Sequence, residues 1–155
     1  MTSGEFDVDL DVDRVLVPVD GSEESARAVE YAVGVAAEYD ATVHAVYVLG
    51  EELVRAIEDD AIEEGEVAAE TESFLATVAD VADAAAVELS TSMAYGFSTN
   101  VKTTHPGSVV LDAADDIDAD FLVVPREPVT GDPGEVLEKA AEYVLLYASQ
   151  PVLSV

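Results

Sequence analysis

The chain has 155 residues, and its 34 acidic and six basic side chains give a formal net charge of −28. Such a chain repels phosphate backbones, so nucleic acid is excluded as an expected partner. Half of the residues are hydrophobic and none is cysteine, which indicates one domain with a proper core and without disulfides or cysteine-bound metals. The acids are spread along the whole chain, which favours a folded domain adapted to high salt, where the Debye length falls to about 3 Å.

The predicted elements begin after an acidic N-terminal stretch. Residues 5, 7, 9, 11 and 13 are all acidic, and residues 1–13 are predicted to be a loose arm before a domain over 14–155. This start lacks the basic and apolar regions of a signal peptide. No apolar run reaches the roughly 18 residues that a membrane-spanning helix needs. We therefore expect a cytoplasmic protein that does not associate with membranes.

Strands and helices alternate along the rest of the chain. Strands are predicted at 14–19, 41–48, 87–93, 121–124 and 151–155, and helices at about 23–38, 51–85, from 106, and at 133–148. The strands are apolar on both faces, which predicts an α/β fold with a parallel sheet covered by helices on each side. Its crossovers are expected to be right-handed.

The first strand ends in Asp20-Gly21-Ser22. Ligands in open α/β sheets bind beyond the carboxyl ends of the strands, and Asp20 is able to accept hydrogen bonds from one. Alternatively, Asp20 and Ser22 only cap the first helix, and the chemistry of these residues alone favours that capping role.

Residues that would form a catalytic or metal centre are not evident. The glycine-rich signatures of dinucleotide and P-loop sites are absent. A receiver domain is disfavoured, since only Asp20 fits its pattern. His44 lies within a strand and is predicted to be a satisfied core or face residue, and His105 has no placed acid or nucleophile beside it. Acids are so frequent that pairs arise by chance, so we expect neither an enzyme nor a metal site.

The chain resembles the universal stress protein family over about residues 13–155. The resemblance lies in VLVPVDGS at 15–22, ADFLVV at 119–124, ASQPVLSV at 148–155 and the turn HPG at 105–107. It implies an adenine nucleotide alpha-hydrolase-like fold, with a five-stranded parallel sheet in the order 3-2-1-4-5. It also implies a homodimer formed through the C-terminal strand, and the acidic composition suggests a haloarchaeal-type member.

The ATP-binding motif of the resembled family is degenerate here. Many members carry Gly-x2-Gly-x9-Gly-Ser/Thr after the fourth strand, where glycines let backbone amides approach phosphates. Aligned from the C-terminus, this chain has Pro125, Pro128 and Glu138-Lys139 at those positions. Proline has no N–H to donate, and Glu138 adds a negative charge near the phosphates.

A second alignment of the motif, with its first two glycines at 131 and 134, also fails. It places Val144-Leu145 where the motif requires Gly-Ser/Thr. The sequence DPGE at 132–135 instead predicts an early helix start, in which Asp132 caps and Pro133 takes the first position. That helix would occupy the loop that holds phosphates in ATP-binding relatives.

What the resemblance leaves of a nucleotide pocket is its first-strand half. Pro18, Asp20 and Val43 match adenine- and ribose-side positions of the family, and Arg126 is predicted as the fourth residue of this remnant pocket. Arg126 and Lys139 are the bases nearby and would be able to hold an anion. A further departure is the insertion 94–104 after the third strand, which would form a lid, a hairpin, an extra dimer contact or a surface loop without function.

Three hypotheses follow. The favoured one is a non-enzymatic, dimeric stress-protein domain that acts through protein contacts, with nucleotide binding weak or lost and no cofactor. The alternative is a binder of ATP, AMP or another adenine-containing ligand through Asp20 and backbone groups. A slow ATPase is least favoured, because no phosphate-holding or water-activating set is evident.

Overall fold

The computed structural model describes residues 11–49, 64–95, 106–125 and 135–155. These contain, in chain order, β1 (Arg14–Val19), α1 (Glu23–Tyr39), β2 (Thr42–Leu49), α2 (Glu64–Ala84), β3 (Leu89–Tyr95), α3 (Pro106–Asp116), β4 (Phe121–Val124), α4 (Glu135–Tyr147) and β5 (Val152–Ser154). Every strand pair is parallel, and the order is β3-β2-β1-β4-β5. The predicted fold class and strand order are confirmed.

Helices cover both faces of the sheet because side chains alternate along each strand. Val15, Val17 and Val19 of β1 face a first core shared with α1 and α2. Leu16 and the alternate residues Val46 and Val48 of β2 face a second core shared with α3 and α4. The apolar strands therefore have a buried place for both sets of side chains, as a parallel sheet requires.

Helix α1 begins where the sequence predicts. Ser22 is its N-cap, and the Ser22 side chain accepts a hydrogen bond from the Ser25 N–H. Two glutamates occupy the first turn, where the helix dipole favours negative charge. The helix ends at Asp40, which adopts a left-handed conformation with φ of 55°.

The third strand starts two residues later than predicted. Val87 ends helix α2 instead, because its N–H donates to the Ala82 carbonyl at 2.9 Å and Ala86 is left-handed with φ of 57°. At its other end β3 includes Ala94 and Tyr95, so the first two residues of the predicted insertion 94–104 belong to the strand. The rest of that insertion, and residues 51–63 of the predicted helix 51–85, lie outside the described residues.

The described part of the predicted N-terminal arm is fixed to the domain. Val12 is buried in the first core, and the Asp13 N–H donates to Asp120 Oδ2 at 2.9 Å. The predicted cap of the last helix, at 132–133, lies outside the described residues, and α4 is described from Glu135. Among the helices in the described ranges, none is long and apolar enough to cross a membrane.

Candidate functional site

The turn after β1 lies at the carboxyl edge of the sheet, where ligands bind in folds of this class. One oxygen of Asp20, Oδ1, accepts hydrogen bonds from the Ser22 N–H at 2.9 Å and from the Ser22 hydroxyl. The Ser25 hydroxyl, in turn, accepts from the Asp20 N–H at 3.3 Å. The capping role predicted for Asp20 and Ser22 is therefore confirmed for this oxygen.

The other carboxylate oxygen of Asp20 has a different environment. Oδ2 is buried and has no hydrogen-bond partner within the part of the chain that the structure describes. Burial raises the pKa of Asp20 above its ordinary value of 3.8, against the lowering effect of the Ser22 hydrogen bonds. A buried acceptor without a donor costs about 1–3 kcal/mol, so Oδ2 is an acceptor that a ligand donor would satisfy.

Tyr47 holds the same turn from the neighbouring strand. The Tyr47 hydroxyl donates to the Asp20 carbonyl at 3.1 Å, and the ring packs edge-on against Phe74 of α2 with centroids 6.0 Å apart. A Cβ at residue 21 would lie 2.7 Å from the Tyr47 hydroxyl oxygen, and φ of Gly21 is +86°. Only glycine fits this turn without displacing Tyr47. The sequence did not single out Tyr47, because its hydrogen bond to the Asp20 turn joins two different strands.

The structure does not bring the four predicted pocket residues together. Pro18 is buried near the end of β1 and pairs with Val46 of β2. Val43 pairs with Val15 near the amino ends of the strands and faces the first core, on the opposite face from Leu16 and Pro18. Val43 is therefore remote from the Asp20 turn. Arg126, the fourth residue, lies outside the described residues.

Val48 occupies the place that was predicted for Val43. Val19 pairs with Tyr47, so Val48 is level with Asp20, and it packs into the second core on the same face as Leu16. The misplacement came from the register: β2 runs to Leu49, and its carboxyl end, rather than its start, adjoins the turn.

The end of β4 forms the other side of this edge. Pro125 follows β4 directly and is buried. The preceding carbonyl, of Val124, accepts a hydrogen bond from the Val155 N–H at 3.0 Å. Pro125 has no N–H, so this position offers no backbone donor to a phosphate. The backbone of Glu138 and Lys139 belongs to α4.

His44 is confirmed as a satisfied face residue. Its Nδ1 lies 2.6 Å from the Ser90 hydroxyl and its Nε2 lies 2.8 Å from the Ser92 hydroxyl, both on β3. Burial lowers the pKa of His44 below 6.5. Within the described ranges, no group of three or more His, Asp and Glu side chains is placed to hold a metal ion.

Comparison with known proteins identifies the family. The family model described as Universal stress protein family matches residues 11–155. This chain belongs to the universal stress protein family. A universal stress protein of Methanocaldococcus jannaschii is 29% identical to it over 151 residues, which span 92% of this chain and 81% of that protein.

Solved structures of the family share the fold. The universal stress protein UspA of Lactobacillus plantarum has a TM-score of 0.70 at 21% identity, covering 95% of this chain and 99% of that chain. A universal stress protein in complex with cAMP has a TM-score of 0.65 at 23% identity, covering 94% and 97%. The Archaeoglobus fulgidus protein in complex with dAMP has a TM-score of 0.60 at 19% identity, covering 94% and 98%. These likenesses show a shared fold, a five-stranded parallel sheet with helices on both faces.

Proposed function

We propose that this chain is a non-enzymatic universal stress protein domain with a stress-response or regulatory role that binds ATP weakly or not at all. The observation that carries the proposal is Pro125, which is buried directly after β4. A phosphate held at this edge needs backbone donors, and proline supplies none. Pro128 and Glu138-Lys139 replace the remaining donor positions of the family motif.

The charge of the chain adds to the loss of donors. With a formal net charge of −28, the domain repels a triphosphate at long range in dilute buffer. Losing several hydrogen bonds at about 1 kcal/mol each lowers affinity by orders of magnitude. Both effects act on the phosphates and leave the contacts to the nucleoside unaffected.

Calorimetry with Mg-ATP in molar KCl tests the proposal. We expect no binding at micromolar concentrations of ATP, and a micromolar dissociation constant would contradict the proposal. A restored variant with Pro125→Gly, Pro128→Gly, Glu138→Gly and Lys139→Ser is expected to bind ATP at least about tenfold more tightly. A matched control carries Glu138→Gln alone, which separates removal of negative charge from return of backbone donors.

A second candidate function is binding of an adenine-containing ligand with fewer phosphates. It is favoured by Asp20 Oδ2, a buried acceptor without a partner among the described residues. An amino or hydroxyl group of a nucleoside would donate to it. The relatives in complex with cAMP and dAMP hold ligands that combine adenine with a single phosphate group, which makes the same kind of ligand a reasonable probe here.

Titrations with adenosine, AMP, cAMP and ATP separate the two candidates. If the nucleoside half is retained, adenosine and AMP bind at least as tightly as ATP, and Asp20→Asn weakens them all. Asp112→Asn, an exposed acid of α3, is the control for loss of one charge. Absence of binding by every member of the series would exclude this candidate and support the first.

Dimerisation through β5 is a further part of the proposal. β5 is an edge strand of the described sheet, and an exposed apolar edge is an aggregation hazard unless it is paired. Near it, α4 exposes Leu145, Leu146 and Tyr147 by 51%, 76% and 65%. A two-fold contact covers the same patch on both subunits.

Light scattering in molar salt measures this association. We expect twice the chain mass of 16.3 kDa, and expect Leu146→Asp to shift the protein toward monomer. Tyr39→Asp, an exposed apolar residue on α1, is the matched control. Monomer mass for the unmodified chain across micromolar concentrations would refute the dimer.

Adaptation to high salt is the last part of the proposal. The 34 acids and six bases repel one another in dilute buffer, and molar salt screens that repulsion. The melting temperature is therefore expected to rise from low to molar KCl. The rise should shrink near the sequence pI of about 4.1, where many carboxylates are protonated. A flat dependence on KCl at neutral pH would contradict the adaptation.

A further inference from the structure

The amino edge of the sheet carries a polar set on a face that is otherwise apolar. Arg14 of β1 is level with Thr42 of β2, and His44 is level with Ser90 of β3. The alternation that turns Leu16 and Val46 toward the second core turns these four side chains to the same face. Strands of a parallel sheet are usually apolar on both faces, so packing does not account for this set.

The end of helix α3 closes the set into a cleft. Asp116, Ile117 and Asp118 line it opposite the strands, and its volume is about 330 Å³. Binding cavities begin at about 300 Å³, so the cleft fits a small molecule. Its α3 wall is electronegative, since it combines two carboxylates with the carboxyl end of a helix dipole.

The strands form the opposite wall of the cleft, which carries a base and hydroxyl groups in place of carboxylates. The Arg14 guanidinium forms no ion pair with any residue in the described ranges, although two carboxylates line the same cleft. The start of β1 is fixed, because Asp120 Oδ2 accepts from the Arg14 N–H at 3.1 Å. The Ser90 hydroxyl is held 2.6 Å from His44 Nδ1. Arg14, Thr42, His44 and Ser90 thus line one wall of the cleft, and Asp116 and Asp118 line the other.

We infer that this cleft binds a small zwitterion of the α-amino-acid type. Its carboxylate is held by the Arg14 guanidinium, and its ammonium group by Asp116 and Asp118. Such a ligand satisfies both walls at once, whereas a simple amine leaves Arg14 unpaired and a simple acid meets two like charges. Charge-assisted hydrogen bonds of this kind are about twice as strong as neutral ones. The site is at the opposite edge of the sheet from Asp20 and does not depend on nucleotide binding.

The test uses the full chain and three matched probes. Saturation-transfer NMR with the common L-amino acids identifies a binder, and calorimetry then compares it with its decarboxylated amine and its deaminated acid. We expect the amino acid to bind at least about tenfold more tightly than either analogue. No amino acid binding at ~10 mM, roughly the weakest affinity of interest, would overturn the proposal. An amine that binds as tightly as the amino acid would also overturn it.

Variants test which wall of the cleft binds each charged group of the ligand. Arg14→Gln should remove the preference for the amino acid over the amine, with Arg27→Gln, an exposed base of α1, as control. Asp116→Asn with Asp118→Asn should remove the preference over the carboxylic acid, with Asp112→Asn as control. Asp20→Asn should leave amino-acid binding unchanged, which separates this site from the nucleotide pocket. Variants at Arg14, Asp116 and Asp118 that bind like their controls, while melting like the unmodified chain, would refute the assignment.

Discussion

The two edges of the sheet place polar groups under different constraints. At the carboxyl edge, Gly21, Pro125 and the buried Asp20 carboxylate leave little freedom, because backbone conformation and burial fix what each position can offer. At the amino edge, His44 and Ser90 satisfy each other on a partly exposed face. Substitutions at the first edge should therefore act mainly on stability and backbone donors. Substitutions at the second edge should mainly change which charged ligands bind there.

The largest effect is expected at Gly107, in the first turn of α3 on the carboxyl side. A Cβ at this position would collide with the Tyr143 side chain of α4, so α3 and α4 would have to move apart. We expect Gly107→Ala to destabilise the fold by about 2–3 kcal/mol, which lowers the melting temperature by roughly 8 °C. Thermal unfolding followed by circular dichroism measures the change.

Gly34→Ala is the control for this substitution. Gly34 lies within α1, and a Cβ there would meet no atom within 4 Å. Alanine is favoured over glycine inside a helix by about 0.5–1 kcal/mol, so this variant should melt at a slightly higher temperature. If Gly107→Ala melts as the Gly34 variant does, the close packing of α3 on α4 is wrong.

A smaller effect is expected at Asp20. The folded-state pKa of Asp20 is raised above 3.8 by burial, so its charge opposes folding at neutral pH, and stability from this group is lost as pH rises through the folded pKa. Asp20→Asn removes the charge, so the stability of the variant relative to the parent should rise by about 1 kcal/mol from acid to neutral pH. The gain should vanish below 3.8, where the carboxyl is neutral in both states.

Melting curves from acid to neutral pH check this, with Asp112→Asn removing an equal charge from the surface. The Asp112 variant reports the general relief of repulsion in a chain of this charge, and the difference between the two variants isolates the buried carboxyl. Equal behaviour of the two variants at every pH would show that burial of Asp20 has no energetic consequence.

The sequence predicts features that depend on burial and does not predict features that depend on contacts between strands. The period of apolar residues placed all five strands, the parallel sheet and the helices of the described ranges, because burial on two faces leaves a strong pattern in β1 and β4. The pattern did not fix register, so it could not correct the choice of Val43, which rested on the family resemblance, to Val48 beside the turn. Tyr47 and the His44–Ser90 pair depend on contacts between strands, which spacing along one strand does not reveal.

The smallest predicted effect concerns His44 at the amino edge. Burial lowers its pKa below 6.5. Three charged residues line the same cleft: Asp116 and Asp118 favour the charged ring, and Arg14 disfavours it. If desolvation dominates, the unfolded chain binds more protons than the folded one as pH falls through 6.5, so stability from His44 is present above that pH and lost below it. The half-buried ring keeps the effect below about 1 kcal/mol.

NMR titration of the imidazole measures the pKa, and comparison of the parent with the His44→Gln and His105→Gln chains assigns the resonance. On acidification, the His44→Gln variant should lose less stability than the parent. A folded-state pKa above 6.5 would show instead that the two carboxylates outweigh desolvation, and the cleft would then favour a cation already supplied by the protein.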